Sequence, residues 1–455
     1  MGTRLKPVLM AAVAALTIAT SGMAWSDTLT DTLIKAYKHS GLLEQNRALL
    51  RAADEDVAQA VATLRPVVSY YANSTYSSTM GAGSDHLTRN FGLQASLLLL
   101  DGGGTKLAID GAKEAVLATR EALINVEQSV LLRAVTAYMN VRRENEFVAL
   151  RQNNVRLIAE QLRAAKDRFE VGEVTRTDVA LAESRLALAR ANLAAAKGNR
   201  DRAGEEYRVA VGSYPKSLRA APKAPATARS LESARAIAYT THPAMKKVQH
   251  DIAAAEIGVQ RARAGMKPQL SLTGRANQNN FGVDSASLGL ELKGVIYQGG
   301  KLSSLHRQAI ARRDAVRAGL HIIRHDVAQG VGNAWSRLAV SRATLVASNR
   351  QIRAARVAFR GVKEEATLGA RTTLDVLNAE QELLDAEANR ISSITDQYIA
   401  TYTVLSSMGL LTVDHLKLGI RTYDPAAYYN AVSGAPADST QGKSLDRVLR
   451  ALGKQ

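Results

Sequence analysis

The sequence predicts a mainly α-helical chain that also carries transmembrane β-structure, laid out as two copies of one plan. Three observations predict it. The stretch "VGEVTRTDVALAESRLALARAN" from Val171 to Asn192 returns as "LGARTTLDVLNAEQELLDAEAN" from Leu368 to Asn389. All nine prolines avoid two long segments, Val67 to Tyr214 and Gln269 to Asp424. Between the helical stretches the hydrophobic period drops to two, the signature of strands with one apolar face.

The chain starts "MGTRLKPVLMAAVAALTIATSGMAWS". Arg4 and Lys6 precede an apolar run, and small residues flank Trp25, so residues 1–26 read as a secretory signal peptide cleaved after Ser26. The run is too short for a spanning helix, which needs roughly 20 apolar residues, and no later stretch approaches that length. The mature protein is expected to be exported. Cysteine is absent, which excludes disulfides, thiolate metal sites, a Cys nucleophile and a lipid-attachment cysteine. The net charge of +17 is interspersed with acids along the helices rather than gathered in a basic block. Solvated helix faces, not nucleic-acid binding, are the expected reading.

The duplication extends past the opening motif. "LRPVVSY" at Pro66 has its counterpart in "MKPQLSL" at Pro268, and "GLQASLLLLDGG" from Gly92 in "GLELKGVIYQGG" from Gly289. The expected organisation follows. A first repeat covers 27–214, with strands at about 67–77 and 89–100 and a helical hairpin at about 104–211. A linker occupies 215–230. A second repeat covers 231–420, with strands at about 269–278 and 286–297 and a hairpin at about 301–409. A tail, equatorial or disordered, fills 421–455. In the hairpins, Val179, Ala182, Leu186, Ala189, Leu193 and Ala196 step as a heptad seam. Each long helix of some 60 residues would extend roughly 90 Å at 1.5 Å per residue. Pro243 suits the first turn of a helix.

In the strands, Val68, Tyr70 and Ala72 alternate with Ser69 and Asn73, and Leu288, Leu290 and Leu292 with Ser287, Gly289 and Glu291. About ten residues with one apolar face is the length of a tilted membrane strand. Polar, glycine-rich turns ("STMGAGSDH", "NNFGVDS") separate them. A barrel in lipid must close, since an open edge leaves backbone groups unpaired in hydrocarbon. Four strands cannot close, so chains would have to pool them, and three copies would supply twelve. A soluble half-buried sheet is the competing reading, and with it a periplasmic coiled-coil scaffold or adaptor without a pore.

The duplicated layout, the tip motifs "VGEVTRTDV" and "LGARTTLDVLNAE", the strand-to-helix "GG" junctions and the "RP"/"KP" strand starts resemble the TolC family of outer-membrane channel proteins. The resemblance covers nearly all of the mature chain. It implies a homotrimer in outer-membrane lipid, whose twelve-stranded barrel continues into a periplasmic helical tunnel. It also implies a periplasmic adaptor protein at the hairpin tips and an inner-membrane ABC transporter or proton-driven pump that supplies the energy, with no cofactor and no enzymatic site. The tail "TYDPAAYYNAV" is similar to tails of members serving type I secretion.

Site residues follow from the same resemblance. Asp375 matches one of two positions often acidic at the entrance, and Asn378 replaces the second acid with a neutral amide. Arg371 matches the position that locks the entrance against "TD" of the other hairpin, here Thr177 and Asp178, while Ala366 stands where an aromatic often assists. Val171, Gly172, Glu173, Val174 and Thr175, with Leu368, Gly369, Ala370 and Thr372, are the implied adaptor contacts. The residues also allow a plainer role, because an acid in a helix's first turn favours the helix dipole, and both glycines suit turns with positive φ. "DGGGTK" at Asp101–Lys106 lacks the spacing of a phosphate loop. His321 and His325 lie one turn apart without a glutamate to complete a zinc-protease motif, and read as surface residues. No Ser-His-Asp or paired-carboxylate constellation stands out.

Overall fold

The computed structural model describes residues 27–77, 86–280, 282 and 284–451. The expected signal peptide and most of the first interstrand turn lie outside these. In chain order the elements are α1 (Leu29–His39), α2 (Gly41–Ala62), β1 (Val67–Ser77), β2 (His86–Leu100), α3 (Gly104–Glu170), α4 (Arg176–Val211), α5 (Leu231–Thr241), α6 (Pro243–Ala264), β3 (Gln269–Asn279), β4 (Asp284–Lys293), α7 (Lys301–Thr367), α8 (Thr373–Ser407), α9 (Pro425–Val432) and α10 (Thr440–Ala451). Among the described residues no helix is long and apolar enough to cross a membrane.

The chain divides into two units. One comprises the described part of Met1–Lys38, Ala134–Ala224 and Ala347–Thr395; the other comprises His39–Arg133, Pro225–Val346 and the described part of Asp396–Gln455. Helices α3 and α7, 67 residues each, contribute to both.

The first unit holds α4 against α3 along the seam the heptad positions mark. Ala182, Leu186, Ala189 and Ala196 are buried, and Leu186 and Ala189 pack with Ile158 of α3. Small residues at these positions let the backbones come close. The linker is pinned here: the fully buried Tyr138 donates its hydroxyl to the Arg219 carbonyl at 2.7 Å, and Leu218 pairs with Asp27.

The second unit carries the sheet, an antiparallel meander in the order β1-β2-β3-β4. β1 and β3 begin at the residue after Pro66 and Pro268, because proline removes a ladder donor and pushes its predecessor out of helix. Pairing aligns the apolar residues across all four strands. Val68 faces Ala95, Ala95 faces Gly274, and Gly274 faces Leu288; Leu97, Leu272 and Leu290 form another row. One face is therefore apolar and the other carries Ser, Thr, Gln, Arg and Asn. β1 and β4 are edges with no partner strand beyond them among the described residues.

Three segments depart from expectation. β4 ends at Lys293 rather than 297, although "GVIY" stays apolar. Its ladder partner β3 starts at Gln269, opposite Lys293, and the Pro268 ring packs on Gly294, so residues beyond have nothing to pair with. β2 starts at His86, ahead of 89, because β1 continues the register to Ser77. The tail is helical: α9 packs on α2 in the second unit, where Tyr423 and Tyr429 join the core of Leu50, Val57 and Val116.

Candidate functional site

Two features stand out as candidates, one in each unit. In the first unit, the hairpin tips repeat one another bond for bond. After α3, Gly172 adopts φ of 80° and Glu173 N–H reaches back to the Arg168 carbonyl at 2.9 Å. After α7, Gly369 adopts φ of 78° and Ala370 N–H reaches the Glu365 carbonyl at 2.9 Å. Only glycine takes this left-handed conformation without steric cost, and the backward bond satisfies a helix-end carbonyl.

Each following helix opens with a capping box. Thr175 caps α4: its N–H and hydroxyl donate to Asp178 Oδ2 at 2.9 and 2.7 Å, while Asp178 N–H donates to Thr175 Oγ1 at 3.3 Å. Thr372 and Asp375 do the same before α8, at 3.0, 2.9 and 3.2 Å. The two carboxyl groups sit below their ordinary range for this reason. For Asp178 the Thr175 hydroxyl is the larger cause; for Asp375 it is the Thr372 N–H. Both acids are thus structural caps.

Arg371 donates from Nε to Glu365 Oε2 at 2.8 Å, and this pairing holds its guanidinium protonated. Within the chain no hydrogen bond or ion pair joins it to Thr177 or Asp178. Asn378 accepts from Arg185 Nη2 at 3.3 Å, a contact from α8 to α4 that the sequence alone did not single out. Glu380 was equally hidden. It is 5 % exposed, accepts from Asn154 of α3 at 3.1 Å through Oε1, and burial lifts its pKa to about 7. Ala366, near the end of α7, is buried. The tips themselves are bare: Val171 is 70 % and Leu368 84 % exposed, at matching positions, and Gly172, Glu173, Thr175, Gly369, Ala370 and Thr372 are also exposed while Val174 is half-buried.

In the second unit, the apolar face of the sheet is uncovered. Leu288, Leu290 and Leu292 are each more than 60 % exposed, as are Val68 and Tyr70. Among the described residues no helix covers these side chains, so the sheet is not the half-buried one that the scaffold reading expects. Exposed apolar patches of this extent mark a surface made for an apolar surrounding. His321 and His325 are exposed, and no cluster of three metal-ligating side chains occurs among the described residues.

Strands with an apolar outer face, joined to long helical hairpins, define a channel protein of the outer membrane. The chain belongs to the outer membrane efflux protein family, whose model matches residues 33–213 and 236–410. It is similar to the outer membrane efflux protein BepC of Brucella suis, 36% identical over 423 residues that cover 91% of this chain and 92% of that one. The alkaline protease secretion protein AprF of Pseudomonas aeruginosa is 26% identical, over 65% of this chain and 64% of that one. The fold matches the crystal structure of CusC with a TM-score of 0.76 at 16% identity, covering 85% of this chain and 92% of that one. The protein is an outer-membrane efflux channel, of a family of channels rather than enzymes.

Proposed function

We propose that three copies of this chain form one export duct, a twelve-stranded barrel in the outer membrane whose helical tunnel ends at the hairpin tips. One observation carries the reading: the four-stranded sheet has two bare edges, β1 and β4, and an uncovered apolar face. In hydrocarbon such edges must be paired. Closure by further copies also gives "VIY" at 295–297 a ladder partner, the β1 strand of the next copy.

The exposed Val171 and Leu368 tips would meet a periplasmic adaptor, and an inner-membrane ABC transporter or proton-driven pump would drive transport. Arg371, with Thr177 and Asp178, would restrain the entrance between copies, and Asp375 would ring it with Asn378 as its neutral neighbour. The relatives' names include both efflux and protease secretion, so the duct is proposed to carry protein, small molecules or both.

The absence of cysteine permits a clean test. Ser77 of β1 and Ser287 of β4 lie on opposite edges of the sheet, at least three interstrand steps or roughly 14 Å apart, and the register that pairs 295–297 with the start of the next copy's β1 would set them opposite one another across copies. A disulfide cannot bridge that distance within one chain. The Ser77→Cys/Ser287→Cys protein, oxidised in intact outer membranes, should run as a covalent trimer on a non-reducing gel. A product of any other multiplicity, or monomer alone, would overturn the reading.

A further inference from the structure

The sheet ends of α6 and α7 form a groove of about 660 Å³ in the second unit. Its floor is apolar and small, with Gly258, Ala262, Leu302 and Ala309, and its rim carries Arg261 and Arg312. α6 leads into β3 through Gly265 to Pro268, and α7 begins eight residues after β4 ends. The groove therefore adjoins the ends of the lipid-facing strands.

Two further observations indicate its occupant. The first is charge. Arg261 and Arg312 are exposed, and neither has a carboxylate within salt-bridge distance among the described residues. Arg263, Lys267, Lys293 and Lys301 cluster at the same junctions. Of the nearby acids, Glu256 pairs with Arg317 at 2.6 Å and Asp314 with Arg313 at 2.7 Å, Asp101 is spent on capping α3 through Gly103 and Thr105, and Glu291 lies on the polar face of β4. The second is continuity. Ile296 and Tyr297 are almost fully exposed after β4, and Leu302 and Leu305 carry the apolar path on into α7 and the groove. Apolar surface beside unpaired arginines suits an amphipathic anion: chain in the groove, phosphate at the rim.

We propose that this groove seats the acyl chain of an anionic phospholipid from the periplasmic leaflet, with Arg261 and Arg312 holding its phosphodiester. The bound lipid would anchor the junction where strands become helices. The inference uses the membrane location and not the proposed trimer, so the two can fail separately.

Native mass spectrometry of the full-length protein, exchanged into nonionic micelles doped equally with phosphatidylglycerol and phosphatidylcholine, tests it. The protein should retain at least fivefold more phosphatidylglycerol. Arg261→Gln/Arg312→Gln should lower that to the phosphatidylcholine level, and Ala262→Trp, which fills the groove but keeps both arginines, should do the same. Equal retention of the two lipids, or retention unchanged in both variants, would overturn the proposal. So would displacement by millimolar sn-glycerol 3-phosphate, which would reveal a phosphate site with no use for the chain. A changed oligomeric mass in the arginine variant would show instead an interface between copies.

Discussion

Glu183 and Glu380 hold the same place in the two copies of the hairpin motif, yet their surroundings differ. Glu183 forms a half-exposed ion pair with Lys166 at 2.8 Å, the sort worth under about 1 kcal/mol. Glu380 is buried between α8 and α3, with Asn154 on one oxygen and no hydrogen-bond partner on the other. Burial raises its pKa from 4.5 to about 7, opposed by the Asn154 bond and by Lys363 of α7. The fold thus favours the protonated form. The contribution of Glu380 to stability falls as pH rises from about 4.5 towards 7 and levels off above, a cost on the order of 3 kcal/mol. Glu380→Gln should therefore flatten the fall in thermal midpoint between pH 6 and 7.5 and raise the midpoint at neutral pH. Asp54, raised by burial to about 6, contributes the same sign of slope, half spent at pH 6 and nearly complete by about pH 7. A motif match reveals where Glu380 lies in the helix; it cannot reveal Asn154, 226 residues away. The capping acids were legible because their partners lie three residues off.

The elements follow their local signals where partners are local. Gly172, Thr175 and Asp178 specify the end of one helix and the start of the next, and Gly369, Thr372 and Asp375 do so again. Pro66 and Pro268 fix the strand starts. The end of β4 was not legible, because hydrophobicity persists through "VIY" while the ladder stops at Pro268. The tail was also obscure. Around α9 its sequence has weak helical periodicity, and the order there comes from tertiary contacts: Arg120 stacks on Tyr429 and donates to the Pro425 carbonyl at 3.2 Å, Tyr428 donates to Glu55 at 2.5 Å, and Arg65 bonds the Gly434 and Ala435 carbonyls. Arg120→Ala removes two of these contacts and leaves the carboxylate of Asp54 without its compensating charge. Limited proteolysis of that variant should cut within 421–435 at least several-fold faster than in the wild type, with the helical hairpins intact.

At the scale of the whole molecule, the proposed entrance is a matter of copies meeting. Arg371 is occupied by Glu365 in the single chain, so its restraint on Thr177 and Asp178 would be made across copies or on closing. Arg371→Ser with Thr177→Ala should raise single-channel conductance in planar bilayers several-fold and admit larger solutes such as vancomycin. Conductance equal to that of the wild type would remove these residues from the gate and leave the fold untouched.

The β2–β3 seam couples the two halves in time as well as space. The second side of residues 90–100 finds its partner at 270–279, across four helices. A chain threaded N-terminus first across the inner membrane would arrive with its first ribbon complete and one side of β2 still bare. Contacts so distant in sequence form slowly, and a bare apolar ribbon is prone to aggregate meanwhile. The second copy of the plan is thus the earliest shield the first can have.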